Sequence, residues 1–185
     1  MGNWDIGASY FDGTSRDPRF VLGAGASLRP LYETIQQVGL DLQGTFEAWL
    51  WKLEAIHRGG QGDDFFASVA GLEYTFFDLV QSGIDIGVVL EHLYDERDDL
   101  VTTDNDLSLG MRVTLNDINS TDFLAAIVQD VDRNSRFFFV EASRRIGDAF
   151  KLSLTARGVD NVGEGDLLQS YERENFLQVE LAYHF

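Results

Sequence analysis

Oxygen-bearing side chains recur in one segment at the spacing of a calcium loop. In DVDRNSRFFFVE, Asp130, Asp132, Asn134 and Glu141 have the relative positions of EF-hand ligands. Ser135 stands where that loop needs glycine for its sharp turn, and the flanking residues alternate as strands do. We therefore favour a polar hairpin loop, leading into a strand that carries Glu141, over a calcium site.

A second acidic segment, YDERDDLVTTDND, surrounds Arg97 with carboxylates. These carboxylates belong to Asp95, Glu96, Asp98, Asp99, Asp104 and Asp106. Oxygen clusters bind Ca²⁺ in many proteins, but a solvated acidic loop is the simpler interpretation. With the acidic segment GEGDLLQSYEREN it predicts a strongly negative rim, and we expect no metal and no other cofactor.

The histidines form no familiar catalytic pattern. Among His57, His92 and His184, the only local group that we single out for acid–base chemistry is His92 with Glu91 and Asp95. The chain contains no G-x-S-x-G, glycine-rich phosphate loop or H-E-x-x-H segment. We expect no enzymatic activity, and a hydrolase site around His92 is the alternative.

The composition excludes several classes of protein. A net charge of −17 argues against nucleic acid as a partner, because phosphate binding needs Lys and Arg. The absence of cysteine excludes disulfides and thiolate metal sites. No apolar run is long enough for a transmembrane helix. The start, MGNWDIGASYF, lacks the basic and apolar regions of a signal peptide.

Most of the chain alternates apolar and polar residues with a period of two, which predicts strands with one apolar face. NWDIGASYF, QQVGLDLQ, DLSLGMRVTL and NFLQVELAYHF show the pattern. We count about ten such segments, each long enough to cross a bilayer when tilted. DFLAAIVQD is too uniformly apolar for its faces to be assigned. A further strand within residues 19–29 is an alternative, but we interpret residues 12–33 as one long loop.

The connections alternate between long and short. Long polar connections are 12–33, GGQGDD, DERDDLVTTDND, DVDRNS and VDNVGEGDLLQSYER, and the short ones are GT, DLVQSG, NDINST and GD. Long loops on one rim, tight turns on the other and an even strand number are typical of outer-membrane barrels. We expect an all-β fold, an antiparallel up-and-down transmembrane β-barrel of about ten strands, with residues 1–185 as a single domain.

In such a barrel the polar rows line the lumen and the apolar rows face lipid. The charged residues expected in the lumen are Lys52, Glu54, Glu73, Asp85, Glu91, Arg112, Glu141, Arg145, Lys151, Arg157 and Glu180. Trp4, Tyr10, Tyr74 and Tyr94 lie near strand ends, as in interfacial aromatic girdles. A soluble barrel with the apolar rows turned inward around an apolar ligand is the alternative.

The end of the chain resembles the C-terminal signal strand of Gram-negative outer-membrane β-barrel proteins. Its apolar row is Leu177, Val179, Leu181, Tyr183 and Phe185, with an aromatic residue last. The resemblance implies an outer-membrane location, contact with the lipid bilayer and lipopolysaccharide, and insertion by assembly machinery that binds the last strand. Because no signal peptide precedes the first strand, we expect a mature, truncated or engineered chain.

The expected function is that of a narrow passive pore for small ions or solutes. Many lumen-side residues are Gly, Ala or Ser, which leaves space for water, and a barrel of this size lies between filled barrels and open porins. The acidic rim would attract cations and repel anions. The alternative is a structural or engineered barrel scaffold with an occluded lumen.

Overall fold

Ten strands form one antiparallel sheet, and their order in the sheet is their order along the chain. The computed structural model describes residues 3–23, 25 and 27–185, without the side chain of Asp99. The sheet strands are β1 (Trp4–Thr14), β4 (Thr34–Phe46), β5 (Trp49–Gly59), β6 (Phe65–Phe76), β7 (Asp85–Asp95), β8 (Asn105–Thr114), β9 (Asp122–Asp130), β10 (Arg136–Ile146), β11 (Phe150–Asp160) and β12 (Phe176–Tyr183). The predicted all-β, ten-stranded up-and-down sheet is confirmed.

The pairing register places all the apolar rows on one face of the sheet. Ile6 lies opposite Leu42, which lies opposite Leu53 on the next strand. Further along, Leu90 lies opposite Leu109. Residues directly opposite each other in an antiparallel pair point to the same face. The sheet therefore has an apolar face and a polar face, and the strand that could not be phased, β9, turns Ile127 to the apolar face.

The two ends of the sheet are not joined to each other. β1 and β12 stand at opposite ends of the strand order, and no ladder links them in the part of the chain that the structure describes. Nearly every residue of β12 is exposed, on both faces. The structure thus has an open sheet, and the expected closure into a barrel is not observed. Since the strand number is even, the two end strands run in opposite directions.

The first connection carries a hairpin of its own. β2 (Arg19–Leu22) pairs only with β3 (Leu28–Leu31), outside the ten-stranded sheet. The Ser15 N–H donates to the Glu33 carbonyl at 2.8 Å, and Arg19 donates two hydrogen bonds to the Glu33 carboxylate. The prediction of one long loop over 12–33 is therefore wrong in detail, while the sheet itself gains no strand. Residues 24 and 26 lie outside the described part.

The alternation of loop lengths is weaker than predicted. One rim carries residues 15–33, 60–64, 96–104, 131–135 and 161–175, and the other carries 47–48, 77–84, 115–121 and 147–149. Side-chain hydrogen bonds stabilise the longer turns of the second rim. The Thr121 N–H and hydroxyl both donate to Asp117, and this holds the pKa of Asp117 below its usual range. We call the first set the loop rim and the second the turn rim.

Apart from glycines within the strands, the buried residues lie towards the loop rim. Ile35, Phe65 and Val159 are buried apolar side chains on the polar face of strand ends at this rim. The buried polar residues lie at the same end: Ser15, Asp104, Asp106, Ser108, Asp130, Ser135 and Asp166. None of the helices among the described residues has the length and apolar character to span a membrane.

Candidate functional site

The apolar face of the sheet is uncovered. Ile6 is 73% exposed on the first strand, Leu109 is 51% exposed near the middle of the sheet, and Val179 is 63% exposed on the last strand. Monomeric soluble proteins rarely expose contiguous apolar patches of more than a few hundred Å². Larger exposed patches are typical of sites that contact proteins, membranes or apolar ligands.

Aromatic rings cluster on the apolar face near the turn rim. Trp49 and Tyr74 lie with ring centroids 4.5 Å apart, and Phe150 lies 5.1 Å from Tyr183. Further contacts join Trp4 to Phe46, Tyr74 to Phe76, and Tyr183 to Phe185. Of the residues expected in a girdle, Trp4 and Tyr74 belong here, whereas Tyr10 and Tyr94 lie towards the loop rim.

Polar side chains border the apolar face towards the loop rim. Gln36 donates to Asp12 at 3.1 Å, and Arg136 donates to Gln129 at 2.7 Å. On β8 the apolar row begins at Leu107, with Asn105 beyond it. The apolar face is thus a band with aromatic residues along one border and polar pairs along the other.

A shallow groove of about 430 Å³ crosses the apolar band. Its walls include Leu42, Trp51, Leu53, Leu72 and Leu90. Its apolar lining suits an apolar chain or ring.

The polar face carries all the charged residues expected in a lumen. Arg112 contacts the Glu73 carboxylate, and Arg157 Nη2 lies 3.6 Å from Glu141 Oε1. The others on this face are Lys52, Glu54, Asp85, Glu91, Arg145, Lys151 and Glu180. Two opposite charges that pair over a sheet reduce the cost of dehydrating each other.

Glycines make room for the carboxylates of this face. A Cβ atom at Gly71 would lie 3.1 Å from Glu91 Cγ, and one at Gly87 would lie 3.1 Å from Glu73 Oε1. Both glycines stand on strands next to the carboxylate that they accommodate. Near the turn rim, Asp5, Asp41, Lys52 and Glu54 line a recess of about 370 Å³.

Arg133 ties together the acidic loops of the loop rim. Its Nη2 lies 3.1 Å from Asp104 and its Nη1 lies 3.8 Å from Asp130, and it also contacts Asp98. This role was not predicted from the sequence, because Arg133 comes from a different loop from two of its three partners. The available signal was the shared rim: connections 96–104 and 131–135 both leave the sheet at the same end.

The carboxylates of the calcium-like segment do not converge. Asp130 accepts hydrogen bonds from the N–H groups of Asp132 and Arg133, whereas Glu141 lies further along β10, opposite Thr155. Asn134 has φ +65°, as expected in a tight turn. Across the described residues, no three or more His, Asp or Glu side chains are grouped to hold a metal ion. The polar-hairpin interpretation fits this geometry.

The histidines are dispersed. His92 lies on the apolar face, where its Nε2 is 3.0 Å from Asn105 Oδ1, whereas Glu91 and Asp95 point to the polar face. His57 is also on the apolar face, and His184 follows the last strand. The grouping of His92 with Glu91 and Asp95 is therefore wrong, because neighbouring residues of a strand face opposite ways.

Comparison with known proteins identifies no relative. No protein-family model, no curated protein and no solved structure matches the chain.

We predict that Arg133→Gln destabilises the loop rim. The substitution leaves Asp104 and Asp130, both nearly buried, without their cation, and we expect a loss of about 2 kcal/mol in the free energy of unfolding. Urea denaturation at pH 7.5 would measure it.

Arg19→Gln is the matched control for this prediction. Arg19 also pairs with a carboxylate, that of Glu33, but the pair is exposed in the β2–β3 hairpin. We expect little change, because exposed pairs contribute little to stability. Equal losses in the two variants would contradict the role assigned to Arg133.

Proposed function

We propose that the chain is an outer-membrane β-barrel whose apolar band faces lipid. The observation that carries the proposal is the apolar band itself, which runs across the strands of the sheet and is bounded by aromatic rings and polar pairs. Aromatic side chains favour the bilayer interface, and transmembrane barrels carry an apolar band between two such borders.

Closure of the sheet belongs to this proposal. Hydrocarbon offers no hydrogen-bond partners, so a sheet in a bilayer must pair every strand edge internally. β1 and β12 run antiparallel at the two ends of the sheet, which is the orientation that a closed up-and-down barrel requires. We propose that these two strands pair in the membrane.

We further propose that the closed barrel is a narrow passive pore that prefers cations. The polar face, with its paired charges and its glycines, would line the lumen. The loop rim carries many more carboxylates than cations, and a negative entrance concentrates cations and repels anions. The partners in this role are small ions or solutes, with lipid and lipopolysaccharide around the barrel.

The first test of the membrane proposal compares two neighbouring residues of β12 that face opposite ways. Val179→Lys places a charge on the apolar band, and Gln178→Lys places the same charge on the polar face. In lipid we expect Val179→Lys to cost about 2–4 kcal/mol and Gln178→Lys much less. Urea titration of the protein refolded in phospholipid vesicles, read by heat-modifiable gel mobility, would measure both.

The same comparison also separates the barrel from a soluble protein. Val179 is already 63% exposed, so in water its replacement by Lys should be almost neutral. A folded monomer that needs neither detergent nor lipid, and that tolerates both substitutions equally, would rule out the membrane proposal. A folded monomer without detergent or lipid in which only Val179→Lys is destabilising would also rule out the membrane proposal, and it would favour the soluble barrel whose apolar rows turn inward around an apolar ligand.

Conductance in a planar bilayer tests the pore. We expect steady single-channel steps and a reversal potential that shows cation preference in a KCl gradient. Asp41→Asn removes a carboxylate from the polar face, and we expect it to lower the cation-to-anion permeability ratio by about twofold. Leu40→Val, on the adjacent lipid-facing position, should leave the ratio unchanged. A folded barrel that conducts no ions would instead support the occluded scaffold.

The C-terminal strand is proposed to be the part that assembly machinery binds. Phe185 is fully exposed and stacks on Tyr183. We expect deletion of Phe185 to leave refolding in detergent unchanged but to reduce assembly in cells that export the chain with an added signal peptide. Pulse-chase labelling with heat-modifiable mobility would show it. Normal assembly of the deletion variant would contradict this assignment.

A further inference from the structure

A recess lies on the polar face under the loop rim, between β8 and β12. Its volume is about 460 Å³, within the range of small-molecule sites. The strands supply apolar walls from Val128, Phe137, Val159 and Phe176, and the 161–175 loop closes one side with Leu168 and Tyr171. The recess is therefore a partly enclosed apolar chamber on an otherwise polar face.

The floor of the recess contains a buried carboxylate. Asp106 is only 3% exposed, and its Oδ2 has no hydrogen-bond partner in the described structure. Burial, together with the carboxylates of Asp130 and Asp104, raises the pKa of Asp106 to about 6. The apolar row of β8 that we propose to face lipid begins at Leu107, so Asp106 lies at the rim and not within the band. A buried carboxylate oxygen without a donor is costly, and a ligand that donates to it would remove that cost.

The charges around Asp106 determine whether the recess favours a cationic or an anionic ligand. Asp104 and Asp130 share Arg133, which already serves several carboxylates. Asp166, from the loop that closes the recess, has a second buried Oδ2 without a partner. The other charged residues that line the recess are Glu174 and Arg157, and Arg157 Nη2 also lies 3.6 Å from Glu141 Oε1. The carboxylates outnumber the cations, so a positive group is favoured over a negative one.

We propose that this recess binds a small amphipathic amine, with its ammonium group donating to Asp106 and its apolar body against Phe137, Val159 and Tyr171. An ammonium supplies both the missing donor and the missing charge, and a compact aromatic or branched body fills the apolar chamber. Binding at this site requires neither an open lumen nor ion conduction. A test that contradicts the proposed pore would therefore leave this proposal unaffected, and the reverse also holds.

Phenethylamine is the probe for the test, with 2-phenylethanol and 3-phenylpropanoate as neutral and anionic analogues of similar shape. Calorimetric titration of the whole chain, refolded in detergent micelles, would measure binding at pH 7.5. We expect phenethylamine to bind at least tenfold more tightly than either analogue, because a charge-assisted hydrogen bond forms at Asp106. Equal affinity for the neutral analogue would overturn the proposal.

Substitutions and pH give independent checks. Asp106→Asn keeps the shape of the side chain and should lower phenethylamine affinity at least tenfold, whereas Glu54→Gln, on the same face but outside the recess, should not change it. In the unaltered chain, affinity should fall as the pH drops below about 6, because Asp106 then takes up a proton and loses its charge. The amine remains protonated throughout, and the neutral analogue should show no such dependence.

Two results would contradict the site. One is an affinity that is unchanged in a folded Asp106→Asn variant, with its fold verified by circular dichroism. The other, which needs no variant, is phenethylamine binding that is independent of pH between 5 and 8.

Discussion

The rest of the structure depends on one constraint: apolar and polar residues alternate along each strand, and the strands pair in a register that keeps each kind on one face of the sheet. A single sheet has two faces and, in most domains, one of them packs against a second layer. Here the ten strands form one layer, and the loops shield the polar side near one rim only. Within the described part of the chain, the large side chains of the apolar side remain widely exposed. One face of the sheet thus exposes apolar side chains, and the other carries the charged ones.

The polar face shows how charge is accommodated when no thick core is available. Arginine and carboxylate side chains meet across neighbouring strands, and glycines on the adjacent strand leave the volume that the longer side chains fill. At the loop rim carboxylates outnumber cations, and Arg133 is shared among several of them. An excess of negative charge remains there, concentrated where the loops meet the sheet.

The features that follow from local chemistry could be predicted from the sequence. A period of two fixes which residues share a face, so the alternation alone is enough to assign Ile6, Leu109 and Val179 to the apolar rows. The faces of β9 could not be assigned from the sequence because both are apolar. Its pairing with β8 shows where Ile127 points. A strand within the first connection was considered but set aside, because one extra crossing would have made the strand number odd. The hairpin outside the sheet adds two short strands and leaves that number unchanged.

The site at the loop rim could not be derived in this way, because it is assembled from residues distant in sequence. Arg133 meets Asp98 and Asp104 only after two loops leave the same rim, and Asp106 lines one recess together with Leu168 and Tyr171 of the 161–175 loop. The error over His92 has the opposite origin. Residues close in sequence were grouped although strand geometry separates them onto two faces.

The unpaired edges of β1 and β12 have a consequence for the kinetics of assembly. Each edge presents a row of backbone donors and acceptors that can pair with any other extended strand. Joining the two edges of one chain is a first-order event, whereas joining the edges of different chains is second-order. If the sheet closes as proposed, chain concentration during folding would set the competition between the closed monomer and an open-ended stack, and dilution would favour the monomer.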